Sequence, residues 1–160
     1  MEKLKMFKHW AVDYLYALHG HAKMFLMREP AHYRGLVVQG KSPIILIPGI
    51  TAKWHMMNLL ADPLSKKGHP VYIVPRLGFN FKKIGESAKI IRELIDENDL
   101  RDVIILAHSK GGLIGKYVLA HHNGDNRVKK LIAIATPFAG SRLAVHMPSR
   151  WYEELRPDLG

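Results

Sequence analysis

The residues best suited to chemistry lie in one short segment, where an apolar run ends at a serine and a helical pattern follows. Ser109 has the pattern small-x-Ser-x-Gly around it, with Ala107 before it and Gly111 after it. A strand that turns at once into a helix at such a serine holds the residue in a tight, strained turn that exposes its hydroxyl above the sheet edge. This arrangement is a nucleophile elbow, and it predicts Ser109 as a catalytic nucleophile.

The backbone around this elbow can supply the donors that such a nucleophile needs. Acyl transfer builds negative charge on a carbonyl oxygen, and backbone N–H groups stabilise that charge. We expect the N–H of Lys110 to be one donor, and the N–H of Ile50, after an upstream Pro-Gly turn, to be the second. Gly49 leaves room for a substrate, while Gly111 and Gly112 let the helix approach the preceding strand without a Cβ clash.

Side chains near the elbow have two interpretations each. His108 is either a catalytic base or a buried positioning residue, and we favour the second, because its side chain should point away from that of Ser109. The side chain of Lys110 either adds positive potential beside the oxyanion or reaches solvent. Residues 54–57, with the sequence Trp-His-Met-Met, either line an acyl pocket or pack into the core.

The elements that must position these residues alternate between strands and helices. The predicted strands are residues 43–47, 71–74, 103–106 and 128–135, and the predicted helices are residues 54–66, residues 83–97 and the segment after Ser109. This alternation predicts an α/β fold with a mostly parallel sheet and helices on both faces, a three-layer sandwich. Right-handed crossovers place the strand C-termini at one edge, where open α/β sheets bind ligands.

Residues 1–28 have the spacing of an amphipathic helix, while residues 35–40 form at most a minor strand. The helix either packs on the domain or rests on a membrane surface as a peripheral contact. It is too polar to span a bilayer, and it lacks the apolar centre of a signal peptide. We therefore expect residues 1–160 to form one domain, located in the cytoplasm or peripherally at a membrane.

The composition limits the classes of partner. The net charge is +10, but the basic residues are dispersed as short pairs, which favours a solvated surface over a specific nucleic-acid site. Cysteine is absent, which excludes disulfides and thiolate zinc sites and fits a reducing compartment. No histidine-carboxylate cluster has the spacing of metal ligands, so we predict neither a metal nor a cofactor.

Four segments in this order carry a family resemblance. They are residues 45–50 (ILIPGI), 74–80 (VPRLGFN), 107–112 (AHSKGG) and 135–141 (ATPFAGS). Together they resemble the α/β-hydrolase superfamily, specifically its bacterial lipase- and esterase-like members, over residues 43–141. The resemblance implies a serine hydrolase that cleaves small ester or lipid substrates, with Ser109 as nucleophile and the N–H groups of Ile50 and Lys110 as the oxyanion hole. Ala107 replaces the commoner glycine, as it does in some similar lipases.

The partners that activate the serine are hard to find in the remaining sequence. In this fold an acid and then a histidine follow the nucleophile along the chain, and 51 residues follow Ser109. His121 and His122 fall at the far end of the next helix, and Asp125 falls at the wrong edge of the sheet. His146 falls at the correct edge, but no acid is placed to orient it.

We therefore expect the chain to be the N-terminal part of a longer hydrolase, with its triad acid and histidine beyond Gly160. Its fourth strand would then be an apolar edge, prone to aggregate or to recruit another chain. Two other function classes stay open: an acyltransferase of the same fold, and a non-catalytic binding or scaffold module.

Overall fold

The computed structural model of the chain describes residues 29–35, 37–145 and 150–157. The predicted helix over residues 1–28 and the candidate base His146 lie outside the described residues. The strands are β1 (Ile44–Ile47), β2 (Val71–Tyr72), β3 (Val103–His108) and β4 (Val128–Ile134). The α-helices are α1 (His32–Gly35), α2 (Asn58–Lys66), α3 (Ile84–Glu97), α4 (Lys110–His121) and α5 (Arg142–Val145). Short 3-10 helices cover Trp54–Met57, Pro75–Leu77 and Arg150–Leu155.

The four strands form one parallel sheet in the order β2-β1-β3-β4. Ile105 at the middle of β3 lies opposite Ile45 on β1 and Leu131 on β4. All four residues of β1 are buried, as expected for a parallel strand that is covered on both faces. The predicted parallel α/β fold is therefore confirmed.

The helices cover both faces of the sheet and make it the middle of three layers. One face packs against α3 and α4, through a core that includes Ile91 and Ile114. The opposite face packs against α1 and α2, around the fully buried Tyr33 and Ala61. Within the described ranges, no helix combines the length and the apolar character that crossing a bilayer requires.

Several elements differ from the sequence prediction in their boundaries or in their type. Strand β2 ends at Tyr72 rather than at residue 74: Val74 has φ −121° and ψ 79°, a ψ too small for a strand, and Pro75 after it has no N–H to donate to a neighbouring strand. The helix predicted for residues 54–66 begins as a 3-10 turn. None of the described residues in 35–40 belongs to a strand; Val38 instead donates one backbone hydrogen bond to Gly68 at 3.1 Å.

Strand β4 lies at an edge of the described sheet and pairs with β3 there. Its side chains are mostly exposed or half-buried, including Ile132 and Ile134, which are 42% and 36% exposed. Lys129 and Lys130 are also exposed on this strand. Charged side chains of this kind weaken edge-to-edge pairing, whereas the exposed isoleucines favour it.

An ion-pair cluster joins neighbouring elements near the N-terminal ends of the strands, the edge of the sheet opposite Ser109. Arg92 on α3 donates to Asp96 at 2.7 Å and to Asp125 at 2.8 Å, and Arg127 contacts Asp125 at 2.9 Å. Hydrogen bonds from the Arg92 guanidinium hold the pKa values of both carboxyl groups below their usual range. Asp125 thus serves to join the start of β4 to α3.

The stabilising effect of this cluster should depend on pH. The folded-state pKa values of both aspartates are below the ordinary 3.8, so their contribution is complete above that pH and is lost as the pH falls through the lowered values. We expect Arg92→Met to lower the urea midpoint at about pH 7 and to lower it much less at about pH 2. Arg101→Met, which removes an exposed pair with Asp99, is the control. A difference in midpoint that does not change with pH would contradict the prediction.

The covered and edge strands should also differ in their sensitivity to truncation. Ile105 is fully buried between layers, so Ile105→Ala should lower the free energy of unfolding by about 2–5 kcal/mol. Ile132→Ala on the neighbouring strand should lower it by about 1 kcal/mol or less, since that side chain is partly exposed. Urea denaturation of both variants measures the difference, and equal losses would contradict the described burial.

Candidate active site

Ser109 forms a strained turn between the end of β3 and the start of α4. Its backbone has φ 51° and ψ −124°, a conformation that costs a residue with a side chain on the order of 1–3 kcal/mol. The side chain is half-buried, and its hydroxyl makes no hydrogen bond within the described ranges. The geometry is that of the predicted elbow, with the hydroxyl unengaged at the C-terminal edge of the sheet.

The end of β4 holds this strained turn in place. The N–H of Ser109 donates to the carbonyl of Ile134 at 2.9 Å. Its own carbonyl accepts from the hydroxyl of Thr136 at 3.0 Å and from the N–H of Gly112 at 2.9 Å. Thr136 belongs to the segment ATPFAGS, but its role was not predicted, because a threonine after a strand gives no local sign that its hydroxyl supports a distant turn.

Glycines let α4 lie directly against the sheet. A Cβ on Gly111 would collide with the backbone oxygen of Ile47, and one on Gly112 would collide with the side chain of Thr136. A change of side-chain rotamer could not relieve the first collision, because the opposing atom belongs to the main chain of Ile47. The close approach brings the N-terminus of α4 next to the loop that follows β1.

The loop after β1 contains the second predicted donor. A Cβ on Gly49 would be 3.1 Å from the Cβ of Ser109, so this loop passes close to the elbow. Among the described residues, no acceptor takes the N–H of Ile50 or that of Lys110. Thr51 follows in the left-handed region at φ 63°, which is unusual for a β-branched residue, and its N–H donates to Phe79 at 2.8 Å.

One interpretation of the sequence was that the Lys110 side chain reaches solvent, but the structure shows that it does not. It is fully buried, and its ammonium donates to the carbonyl oxygens of Asn80 at 3.1 Å and Lys82 at 2.5 Å. Burial lowers the pKa of this ammonium, and the carboxylates of Glu154 and Glu86 oppose that effect. The lysine fits here because two main-chain carbonyls from a loop distant in sequence point at it.

Asn80 is a buried polar residue at the same edge that sequence reasoning missed. It is 0% exposed, has φ 59°, and donates from its side chain to the carbonyl of Pro48 at 2.7 Å. Asparagine tolerates the left-handed region better than most residues. Asn80 ends the segment VPRLGFN, which carries part of the family resemblance, but only tertiary contact reveals the asparagine's partner.

The interpretation of His108 as a buried residue is wrong. It is exposed, and its Nδ1 lies 3.2 Å from where a Cβ on Gly49 would be. As the last residue of β3 it follows Leu106 on the face that carries α2, while Ala107 lies in the core on the other face. The histidine is exposed because the strand extends to the sheet edge at this residue.

One cavity opens at the elbow, and another is lined by residues of the loops after β1 and β2. The first, of about 130 Å³, is lined by Ile50, Ser109, Pro137, Ser141, Ala144, Tyr152 and Leu155. The second, of about 210 Å³, is lined by Pro48, Lys53, Trp54, Ile73, Val74, Pro75 and Gly78. The core interpretation holds for Met57, which is buried; Trp54 lines the second cavity, and the acyl-pocket interpretation stays a prediction.

The histidines and the acid considered as triad partners lie elsewhere. His121 and His122 lie at the C-terminal end of α4, about 18 Å along the helix from Ser109 by the rise per residue, and their rings contact Tyr117. Asp125 is paired with Arg92 at the opposite edge. The described residues also contain no group of three or more side chains that could hold a metal ion.

Solved structures resemble the chain in fold. It matches the mature lipase BlEst2 of Bacillus licheniformis with a TM-score of 0.62 and 22% identity over 82% of this chain. An extracellular α/β-hydrolase from a Paenibacillus species matches with a TM-score of 0.52 and 25% identity over 71% of this chain. The chain spans 60% of the mature lipase, 31% of its propeptide form and 49% of the Paenibacillus protein. None of the curated proteins compared with the chain matches it.

The sequence profile of the alpha/beta hydrolase fold family matches residues 42–158. This match begins just before β1 and runs through all four strands, so it covers the sheet and the serine turn described above. The protein therefore belongs to the α/β-hydrolase fold family.

Proposed function

We propose that the protein is a serine hydrolase of the lipase and esterase type, which cleaves carboxylic esters through an acyl-enzyme on Ser109. The observation that carries the proposal is the strained turn at Ser109, where neither the hydroxyl nor the two neighbouring backbone N–H groups has a partner among the described residues. A fold that maintains such strain without a partner for the side chain is typical of a site where the side chain reacts.

The proposed chemistry begins with attack of the Ser109 hydroxyl on the ester carbonyl carbon. The proton passes to a general base, and the carbonyl oxygen becomes negative in a tetrahedral intermediate. The N–H groups of Ile50 and Lys110 donate to that oxygen, and the N-terminus of α4 adds a favourable dipole. The alcohol then leaves with a proton, and water repeats the sequence to release the acid and restore the serine.

The cavity at Ser109 supports an ester with an apolar portion as the substrate. Its lining includes Ile50, Pro137, Ala144 and Leu155, which offer no charge to pair with an ionic substrate. Apolar walls with a few placed polar groups are typical of small-molecule sites. Small esters and lipid acyl esters both combine an apolar portion with a polar ester group.

We propose that the base and its orienting acid come from polypeptide outside these 160 residues. Three of the candidates weighed for the triad, His121, His122 and Asp125, lie far from Ser109. The solved relatives are longer than this chain, which leaves room for further elements. An inert serine would instead support the non-catalytic binding module.

The first test is covalent labelling of the protein as its natural gene expresses it. A fluorophosphonate should label Ser109, because the phosphonyl group mimics the tetrahedral intermediate. Ser109→Ala should abolish labelling, which peptide mass spectrometry would locate. Ser87→Ala is the matched control: this serine is buried on α3 without a hydrogen-bond partner for its hydroxyl among the described residues, so labelling should persist. Absence of labelling in the unmodified protein would refute the proposal.

The second test uses the contact between α4 and β1. Gly111→Ala should lower the rate of Ser109 labelling at least about tenfold, because the added methyl would push the elbow away from Ile47 and the loop after it. The same change should reduce the free energy of unfolding by about 1–3 kcal/mol. Gly124→Ala adds a methyl in open space and should leave the labelling rate unchanged. Equal rates in the two variants would contradict the proposed geometry.

A further inference from the structure

The buried ammonium of Lys110 is unusual in its partners. It is fully buried, yet among the described residues it contacts main-chain carbonyls rather than a carboxylate within ion-pair distance. A buried charge is unfavourable unless hydrogen bonds compensate for lost solvation. Filling the space alone would require only an apolar side chain such as methionine. We therefore expect the ammonium to have a structural role that depends on its hydrogen bonds to Asn80 and Lys82.

The loop that accepts these hydrogen bonds is in turn bonded to the loop after β1. The side-chain amide of Asn80 donates to the carbonyl of Pro48 at 2.7 Å, and the carbonyl of Phe79 accepts the N–H of Thr51 at 2.8 Å. These two contacts lie on either side of Ile50 along the chain. The direction of the first is chemically determined, since a carbonyl oxygen only accepts and the amide nitrogen must face it.

The loop after β1 needs such support because its own backbone is strained. Thr51 has a positive φ of 63°, and a β-branched residue persists there only when its surroundings hold it. Asn80 has a φ of 59° and is itself buried. Two strained loops thus hold each other, and the ammonium of Lys110 anchors both to the start of α4.

We propose that the Lys110 ammonium and the Asn80 amide form a brace that sets the spacing between the two oxyanion donors, the N–H groups of Lys110 and Ile50. This inference rests on the proposed function and adds positioning residues to that site. One residue thereby has two roles: its main chain provides a donor, and its side chain positions the other donor. The chain of contacts runs from Lys110 through Asn80 to Pro48, two residues before Ile50.

The brace can be tested without relying on catalysis, by amide hydrogen exchange in the protein as its natural gene expresses it. Lys110→Met keeps the length and apolar body of the side chain but removes its three donors. We expect exchange of the Thr51 amide to accelerate at least about tenfold, while that of Ile105 in the sheet is unchanged. Lys116→Met, at an exposed lysine on the same helix, should alter neither amide. Unchanged exchange at Thr51 in the Lys110 variant would overturn the proposal.

A second variant removes the other half of the brace with little strain. Asn80→Gly deletes the amide that donates to Pro48, and glycine accepts the positive φ found there. It should accelerate exchange at Thr51 in the same way, and it keeps the proposal falsifiable if Lys110→Met does not fold.

The consequence for chemistry is measured by the rate at which a fluorophosphonate labels Ser109. Each brace variant should lower this rate by about ten- to hundredfold, since a misplaced oxyanion donor loses much of its effect. The double variant should be little slower than the slower single one, because both changes break the same chain of contacts. Faster exchange at Thr51 with an unaltered labelling rate would overturn the positioning role. If the unmodified protein does not label at all, the proposed function fails, and the exchange data alone decide whether the brace exists.

Discussion

Main-chain contact between α4 and β1 is the constraint on which the rest of this structure depends. Gly111 lies so near the carbonyl of Ile47 that a single methyl group would not fit between them. This contact brings the N-terminus of a helix over the C-terminal end of a neighbouring strand. The N–H of Lys110 and the loop that contains Ile50 consequently share one small region beside Ser109, where a developing negative charge can meet both.

Backbone strain is distributed along the edge of the sheet where this region lies. Each strand is followed by one non-glycine residue with a positive φ: Thr51 after β1, Asn80 after β2, Ser109 after β3 and Ala135 after β4. In the part of the chain that the structure describes, the other non-glycine residues with positive φ are aspartates and an asparagine near the opposite edge, at positions 99, 102 and 126. Those residue types tolerate the left-handed region, whereas threonine, serine and alanine do so less readily. The strain is thus greatest where the candidate chemistry lies.

The two edges of the sheet are stabilised by different means. The edge opposite Ser109 is held by ion pairs among Arg92, Asp125 and their neighbours, which are exposed enough for solvent to weaken them. The edge at Ser109 is held by buried hydrogen bonds from Asn80 and Lys110 to main-chain carbonyls. Such bonds are hard to replace, because their loss leaves a buried acceptor unpaired. The backbone geometry is therefore held more firmly at the Ser109 edge than at the opposite edge.

Much of the fold followed from local patterns. The buried β-branched runs and the helical spacing between them predicted the parallel sheet, and the pattern around Ser109 predicted the strained turn. Boundaries followed less closely from local patterns, as in β2, which ends at Tyr72 although its apolar run continues to Val74, where ψ is 79°. The sequence prediction placed His108 in the interior. The alternation of side chains along a strand predicts which face of the sheet a residue is on, but not where the layer that covers this face ends.

By itself the sequence determined the α/β class, the serine turn and the need for glycine at positions 111 and 112. These features arise from periodicity and backbone stereochemistry, which act over a few residues. Only the tertiary structure decided that the Lys110 side chain is buried and that Asn80 bonds to Pro48, 32 residues away. The physical reason is that a hydrogen bond between loops depends on which carbonyls the folded chain leaves without a donor. That is a property of the assembled edge, and no local stretch of the sequence contains it.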